Sequence, residues 1–272
     1  MNVTNGSTVL ITGSSGRMGT ALSADMASAG FDLRLLDLRP HPDPPEGAVE
    51  YLGSLAEQGL IEAAVDGVDA VIHLAALPNE DSWAETVSQT VNNTELLLRS
   101  CASAGVSKIL LASSHHVAGF YGKAETLPAD VLPRPDTYYG VAKATVEAMG
   151  SLYHDRFGMD VLALRIGSCF PEPHAPRSMP IWLSPRDMTG IVLAWLSLSG
   201  SAFRVAWGVS NNSRGFLSTK PLLEMGYSPR DNSEDFLARL TEKFGAAAFS
   251  EAQSDYLGGP FCTAPLGQKM EG

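Results

Sequence analysis

Three glycines spaced three residues apart lie between a short apolar run and a helical pattern near the start of the chain. The apolar run is Thr8–Thr12, and the glycines are Gly13, Gly16 and Gly19. Gly13 permits a tight turn, Gly16 lets a bound anion approach the backbone, and Gly19 lets the following helix pack closely. Free N–H groups at the start of that helix favour a pyrophosphate there. The turn therefore predicts the first strand–helix unit of a dinucleotide-binding domain.

The first half of the chain alternates short apolar runs with helical patterns, which is typical of parallel strands joined by helices. Strands are predicted at residues 8–12, 32–37, 49–52, 70–74, 108–113 and 161–165. Helices are predicted at residues 17–29 and 55–65, in a long segment that ends at residue 104, and at residues 139–157. The predicted fold class is α/β, with a Rossmann-type doubly wound parallel sheet.

Beyond Ile166 the alternation loosens and proline becomes frequent. We predict a helix over residues 186–198, a strand over residues 203–207 and two further helices near the C-terminus. Residues 1–165 are therefore predicted to bind the dinucleotide, and residues 166–272 to form a smaller substrate-binding lobe that rests on the main sheet. Both parts are expected to belong to one integrated domain.

The composition of the chain excludes some classes of partner and indicates the cellular compartment. The net charge is -11, from 30 acidic and 19 basic residues, so nucleic acid and anionic membranes are not expected partners. The three cysteines, Cys101, Cys169 and Cys262, are far apart and form no Cys-x-x-Cys motif, which predicts neither a disulfide framework nor a metal site. No apolar run is long enough to cross a bilayer. We expect a cytoplasmic protein.

Asp37 ends the second predicted strand, where a carboxylate can accept hydrogen bonds from the adenosine ribose hydroxyls. It would repel a 2′-phosphate, which favours NAD over NADP as the cofactor. Arg39 leaves NADP open, because a guanidinium there could pair with that phosphate. Further cofactor contacts are expected along the same edge of the sheet, at Ser15, Arg17, Met18, Leu38, Leu74, Ala75, Ala76 and Ile166.

Tyr139 and Lys143 lie four residues apart on one face at the start of a predicted helix. A phenol with a pKa of about 10 is a poor base at neutral pH, but a nearby ammonium stabilises the phenolate. Ser114 ends the fifth strand at the ligand-binding edge, where its hydroxyl can hold the reacting oxygen. These three residues are the predicted catalytic group, with Tyr139 and Lys143 also contacting the cofactor. Tyr138 lies off that face and is not favoured.

Four stretches, at residues 112–121, 165–173, 205–210 and 226–232, together with the residues above, resemble the extended short-chain dehydrogenase/reductase superfamily. Within it the chain looks like the uronate dehydrogenases. The resemblance implies NAD-dependent oxidation of a cyclic sugar acid at C1 to an aldarolactone. Tyr139 would take the anomeric hydroxyl proton, and Ser114 would orient that hydroxyl. By analogy with the superfamily, a homo-oligomer is expected.

The resemblance also implies the remaining substrate contacts. Ser168 and Arg177 would bind the far end of the sugar, with Arg177 forking onto the C6 carboxylate. Several positions depart from the family pattern: Arg17 replaces a glutamine, Pro78 a serine, His115 an asparagine, Ser54 an aspartate and Thr90 an asparagine. We expect His115 to bind substrate hydroxyls. Adjacent residues are expected to point apart, so His115 and its neighbour His116 are not expected to form a metal site.

These departures leave two alternatives open. One is an NAD(P)-dependent dehydrogenase of a neutral aldose or another polyol. The other is a dinucleotide-sensing regulatory protein that binds the cofactor without turnover.

Overall fold

The computed structural model describes residues 3–122, 126–251 and 255–269. Its strands follow the predicted alternation, and the first six agree with the predicted bounds to within one residue at each end. In chain order the strands are β1 (Thr8–Thr12), β2 (Asp32–Asp37), β3 (Val49–Leu52), β4 (Ala70–His73), β5 (Lys108–Ser114), β6 (Asp160–Ile166), β7 (Ser168–Cys169), β8 (Trp182–Leu183) and β9 (Phe203–Gly208).

Helices connect the strands and cover both faces of the sheet. They are α1 (Arg17–Ser28), α2 (Gln58–Val65), α3 (Trp83–Thr86), α4 (Asn93–Ala104), α5 (Tyr138–Phe157), α6 (Pro185–Ser197), α7 (Lys220–Glu224), α8 (Leu237–Phe244) and α9 (Ala248–Glu251). The long helix predicted before residue 104 is interrupted, because a π-helical segment at Val87–Asn92 separates α3 from α4. Short 3₁₀ turns occur at His115–Ala118, Pro176–Ile181, Ser233–Phe236 and Gly259–Cys262.

Seven strands form one parallel sheet in the order β3-β2-β1-β4-β5-β6-β9. The chain moves outward from β1 to β3 and then returns to β4 beside β1, so the strand order reverses between β1 and β4. A crevice opens at the carboxyl ends of the strands at such a reversal. The predicted doubly wound α/β fold is confirmed.

The strand predicted at residues 203–207 lies in the main sheet, whereas the sequence analysis placed it in the smaller lobe. β9 pairs in parallel with β6, and α6 is the crossover between them. Ala206 and Trp207 are fully buried. This fits a strand of a parallel sheet, because other elements cover such a sheet on both faces. Residues after Ile166 therefore build part of the sheet as well as the loops beside it.

Two apolar layers enclose the sheet, and a third cluster joins the C-terminal segments to it. Leu22 and Met26 of α1 share one layer with Trp195 of α6, while α2, α4 and α5 contribute to the other. The third cluster packs around Trp207 and includes Leu257 from the C-terminal segment. That segment is thereby brought to the carboxyl edge of β5 and β6. No helix in the described part of the chain could span a membrane.

Candidate active site

The glycine-rich turn leaves no room for side chains, which is the property that a pyrophosphate cradle requires. Gly13 has a φ of 71°, and a Cβ there would lie 2.7 Å from the Ala75 nitrogen. A Cβ on Gly19 would lie 2.6 Å from Ser14 Cα and would overlap the Gly13 carbonyl oxygen. The turn, the start of α1 and the loop after β4 are thus in backbone contact. Only glycine permits this approach.

The start of α1 is open to an anion. Gly16 is its N-cap and no side chain caps it, and the first turn contains no acidic residue. The free N–H groups and the helix dipole therefore favour a negative group from outside the chain. Asp37 lies beside this turn, where its carboxylate accepts hydrogen bonds from the Ser15 nitrogen at 3.0 Å and the Arg39 nitrogen at 3.2 Å. A helix start open to an anion and a carboxylate beside it are features that fit a dinucleotide.

The other predicted cofactor contacts share the same edge of the sheet. Leu38 follows Asp37 and is 71% exposed, so it offers an apolar surface at this edge of the sheet. Leu74, Ala75 and Ala76 follow β4 and are half-buried. Ile166 ends β6, and Met18 is half-buried in the first turn of α1. The structure thus brings the predicted cofactor residues together across the crevice.

The predicted catalytic residues lie together between β5 and α5. The Ser114 hydroxyl hydrogen-bonds the Tyr139 phenol and also accepts from the His116 nitrogen at 3.2 Å. The Lys143 ammonium lies 5.6 Å from the centre of the Tyr139 ring and donates to the Ala112 carbonyl at 2.7 Å. These positions place one phenol, one hydroxyl and one ammonium around a single point at the sheet edge.

Burial sets the protonation states in this group. It raises the pKa of Tyr139 to about 12, with the Ser114 hydrogen bond lowering it and the negative charge of Asp136 raising it further. Burial also lowers the pKa of Lys143 to about 8. In the protein alone, the phenol therefore keeps its proton at neutral pH. A positive charge brought close to the phenol would favour the phenolate.

A buried carboxylate that the sequence analysis did not single out holds the start of α5. Glu80 is 1% exposed and accepts from the nitrogens of Tyr139 at 2.8 Å and Tyr138 at 3.2 Å. It also accepts from the Gly267 nitrogen at 2.8 Å. Glu80 therefore ties the loop after β4 to the helix that carries Tyr139 and to the C-terminal segment. Nothing in its local spacing distinguished it from a surface glutamate.

His116 and Asp136 form a second buried pair beside the phenol. His116 Nδ1 lies 2.7 Å from Asp136 Oδ2, and the imidazole packs edge-on against Tyr139 with ring centres 5.8 Å apart. The rings of His115 and His116 are 4.1 Å apart, so the expectation that they point apart was wrong. Strand alternation ends at Ser114, and the 3₁₀ turn that follows brings neighbouring side chains together.

His115 presents a hydrogen-bond acceptor in the site. Its Nδ1 lies 3.2 Å from the Ile166 carbonyl, to which it donates, and its buried Nε2 has no partner among the described residues. Burial, the neighbouring His116 and Arg177 hold the pKa of His115 well below its usual value, against the Ile166 hydrogen bond. The ring is therefore neutral. Its Nε2 is an unsatisfied acceptor, which is costly to bury unless a ligand donates to it.

The predicted far-end contacts lie next to this group. Ser168 is in β7, and its hydroxyl lies 3.4 Å from His174 Nδ1. Arg177 is half-buried in the 3₁₀ turn, with its guanidinium 5.9 Å from the centre of the Phe261 ring. The Phe261 ring packs in turn against His116. Among the described residues, Arg177 forms no ion pair, which leaves its charge available for a ligand.

Arg17 reaches from the glycine-rich turn into the same region. Its guanidinium stacks on the Phe170 ring at 3.6 Å, and its Nε donates to the Cys169 carbonyl at 3.1 Å. The sequence analysis placed Arg17 with the cofactor. The structure shows that the side chain contacts the segment that carries Ser168.

The chain is similar to several known proteins. Residues 9–183 match the NAD dependent epimerase/dehydratase family. A uronate dehydrogenase from Pseudomonas putida is 32% identical over 266 residues, which cover 97% of this chain and 98% of that protein. The NAD-dependent glucose-6-phosphate dehydrogenase of Haloferax volcanii is 32% identical, covering 84% of this chain and 95% of that protein.

A solved structure shows the same architecture. The uronate dehydrogenase from Agrobacterium tumefaciens superposes with a TM-score of 0.90 at 30% identity, covering 97% of this chain and 99% of that one. A mutant of that enzyme was solved in complex with NAD. The chain therefore belongs to the NAD dependent epimerase/dehydratase family and is an NAD-dependent oxidoreductase that acts on a CH–OH group.

Proposed function

We propose that this oxidoreductase oxidises a cyclic uronate, of the glucuronate or galacturonate type, at C1 to an aldarolactone. The observation that carries the proposal is the half-buried guanidinium of Arg177, which forms no ion pair within the described part of the chain and lies near the Phe261 ring, itself packed against His116 beside Tyr139. A cation without a partner in such a position favours a substrate with an anionic far end. The relatives named as uronate dehydrogenases support a carboxylate there.

Each catalytic side chain has one task in this proposal. Tyr139 accepts the proton of the anomeric hydroxyl, and Ser114 donates a hydrogen bond that holds the same oxygen. Lys143 supplies the positive charge that stabilises the phenolate. NAD, which the glycine-rich turn and Asp37 would hold, would supply the acceptor for the hydride from C1. The products are a lactone, NADH and one proton, which leaves the site through Tyr139.

The sugar is oriented by contacts on its other side. Arg177 forks onto the C6 carboxylate, and Ser168 binds a hydroxyl near it. The free Nε2 of His115 accepts a hydrogen bond from a hydroxyl of the sugar ring, which satisfies the buried acceptor. Under this proposal residues 1–165 bind the cofactor, and the segments after Ile166 supply most contacts to the far end of the sugar.

The test is a substrate panel measured by NADH absorbance with galacturonate, glucuronate, galactose, glucose and arabinose. We expect turnover of the two uronates, with little for the neutral sugars. Arg177→Ala should raise the KM for a uronate by ~30- to 150-fold, the effect of losing a charged hydrogen bond of ~2–3 kcal/mol. Arg186→Ala is the matched control, since Arg186 is an exposed arginine paired with Asp231.

Equal losses for uronates and neutral sugars in Arg177→Ala would contradict the carboxylate role. Reduction of NAD only with neutral sugars would favour the aldose or polyol alternative. Tight NAD binding without turnover of any sugar would favour the regulatory alternative.

A further inference from the structure

The C-terminal segment is attached to the site at both of its ends. We call residues 257–267 the C-terminal strap. At its start the Gly258 nitrogen donates to the Gly119 carbonyl at 2.9 Å, and at its end the Gly267 nitrogen donates to the buried carboxylate of Glu80 at 2.8 Å. Glu80 also accepts from the first turn of α5, so the strap ends beside that helix.

The attachment at the start of the strap is closely packed around a buried carboxylate. A Cβ on Gly258 would overlap Asp136 Oδ2, and so would a Cβ on Gly119. The carboxylate therefore lies between the bare Cα atoms of two chain segments, and its Oδ2 is 2.7 Å from His116 Nδ1. His116 packs edge-on against Tyr139. The strap is thus fixed to the buried pair that lies beside the proposed proton acceptor.

Between its two attachments the strap borders Arg177. The central carbon of the Arg177 guanidinium lies 5.9 Å from the centre of the Phe261 ring, and a Cβ on Gly259 would lie 3.2 Å from Arg177 Nη1. The Phe261 ring also packs against the His116 ring, with ring centres 4.4 Å apart. One aromatic ring of the strap therefore links the surroundings of Arg177 to the imidazole beside Tyr139.

Packing, rather than polar contacts, restricts the side chain of Arg177. Within residues 3–122, 126–251 and 255–269, its guanidinium has no hydrogen bond and no ion pair. A free arginine side chain has many rotamers, and ordering it when a ligand binds costs entropy. An aromatic ring and a backbone segment against the guanidinium reduce that cost, because they restrict the side chain beforehand. The strap supplies both surfaces.

We propose that the C-terminal strap is part of the substrate site and that Phe261 is a positioning residue for Arg177. The Phe261 ring and the Gly259 backbone hold the guanidinium in the orientation that receives a carboxylate. The strap thereby strengthens the preference for an acidic sugar over a neutral one. This inference rests on the proposed function, because it takes the C6 carboxylate of a uronate as the ligand of Arg177. It adds no chemical step to the oxidation at C1.

Phe261 has one competing assignment, which is a purely structural contact with His116. Loss of that contact would disturb the buried pair beside Tyr139 and lower kcat. A positioning role acts through Arg177, so its loss raises the KM for a uronate and leaves kcat nearly unchanged. The effect of a positioning role also disappears when the Arg177 side chain is absent. A double-mutant cycle therefore separates the two roles.

The experiment is a double-mutant cycle between Phe261 and Arg177. Phe261→Leu, Arg177→Ala and the double variant are compared by their KM and kcat for galacturonate. Calorimetry gives the Kd of galacturonate for each NADH-bound protein. Phe261→Tyr is the conservative variant, which keeps the aromatic ring. Phe261 lies outside the three apolar clusters of the described residues, so we expect these variants to fold.

Phe157→Leu is the matched control for the loss of a ring. Phe157 is 59% exposed at the end of α5, and its ring packs against another aromatic ring, that of Tyr153. This variant should leave the KM for galacturonate and the Kd of NADH unchanged.

We expect Phe261→Leu to raise the KM and the Kd for galacturonate by ~3- to 10-fold, as for a cation–π contact partly shielded from water, with kcat within about twofold. In the Arg177→Ala background the same substitution should change these constants by less than ~twofold, because the group that Phe261 positions is gone. Phe261→Tyr should stay within ~twofold of the unmodified protein, since the ring is retained.

Equal effects of Phe261→Leu with and without the Arg177 side chain would overturn the inference, as would a fall in kcat at an unchanged KM. If uronates are still oxidised in that case, the proposed function stands and the inference alone fails. A protein that binds galacturonate through the coupled pair but oxidises no uronate keeps the inference and contradicts the proposed function. Absence of galacturonate binding by the unmodified protein would contradict both.

Discussion

The cofactor edge of this site and the side where we propose that the sugar binds, called the sugar-facing side below, are built in different ways. The cofactor edge consists mainly of backbone, in which Gly13 and Gly19 contact main-chain atoms of neighbouring loops. The sugar-facing side consists of side chains from separate segments, such as Arg177 and Phe261, which the fold brings together. Replacing a side chain on the sugar-facing side leaves the sheet intact, whereas adding a Cβ at a glycine of the cofactor edge disturbs the loops that contact it. Substrate choice can therefore change while the cofactor is retained.

The largest expected effect is on turnover, and it concerns Tyr139, which lies where the two regions meet. Tyr139→Phe removes the proton acceptor but keeps the ring and its packing against His116. We expect kcat to fall about 10³-fold, within the range for loss of a general base, while the Kd for NADH stays within about twofold. Rapid-quench turnover and fluorescence titration give the two values. Activity near that of the unmodified protein would mean that another group takes the proton.

The second prediction tests whether the cofactor edge depends on backbone contact. Gly19→Ala places a Cβ against the Gly13 carbonyl and 2.6 Å from Ser14 Cα, so the turn must open. We expect a loss of ~1–3 kcal/mol in the free energy of unfolding, typical of overpacking, and at least tenfold weaker NADH binding. Urea unfolding and fluorescence titration measure these.

Gly59→Ala is the matched control, since Gly59 lies in α2 and a Cβ there meets nothing within 4 Å. It should raise stability by ~0.5–1 kcal/mol and leave NADH binding unchanged. Equal effects of the two substitutions would show that the close approach at Gly19 is not needed for the cofactor.

The third prediction concerns Glu80, which joins the two regions through the start of α5. Glu80→Gln replaces one acceptor oxygen by an NH₂ group that faces a backbone N–H, where a mismatch costs ~1–3 kcal/mol. Because that N–H belongs to the first turn of α5, we expect kcat to fall about tenfold with KM and NADH binding nearly unchanged. Glu85→Gln, on the exposed face of α3, should be neutral. A loss confined to NADH affinity would assign Glu80 to the cofactor edge instead.

The same contrast explains how much the sequence could predict. The cofactor edge follows from short local patterns, since the spacing of Gly13, Gly16 and Gly19 and the position of Asp37 need only a strand and a helix around them. The sugar-facing side depends on contacts between residues far apart in the chain. Glu80 and Gly267, or His116 and Phe261, approach only after the sheet and the C-terminal segment have packed.

Local sequence patterns also could not predict the pairing of β9 or the contact that Arg17 makes. Whether β9 joins the sheet depends on the free edge of β6, which the residues of β9 do not encode by themselves. Arg17 lies within the glycine-rich motif, but its contact with Phe170 depends on where β7 and the loop after it are placed. In both cases the residue type was informative, and its partner was set by tertiary structure.

The smallest expected effect uses pH to test the electrostatic link between the two regions. The pKa of Tyr139 is raised to about 12 by burial and by the charge of Asp136. Since the base is the deprotonated phenol, kcat/KM for oxidation should rise with pH above neutrality until Lys143, whose pKa burial lowers to about 8, loses the charge that stabilises the phenolate. Asp136→Asn keeps an acceptor for His116 but removes the negative charge, which lowers the pKa of Tyr139 and moves the rising limb to lower pH.

Burial remains the larger cause in that variant, so the shift should be below about one pH unit, equivalent to a few-fold gain at pH 7 relative to the variant's own plateau. Asp130→Asn, which removes an exposed carboxylate in the loop before α5, should leave the profile in place. If Asp136→Asn moves the rising limb of the kcat/KM profile to higher pH, the lost contact with His116 has a larger effect on Tyr139 than the removed negative charge. The pair would then act on Tyr139 through packing, and the two regions would be joined by contact rather than by charge.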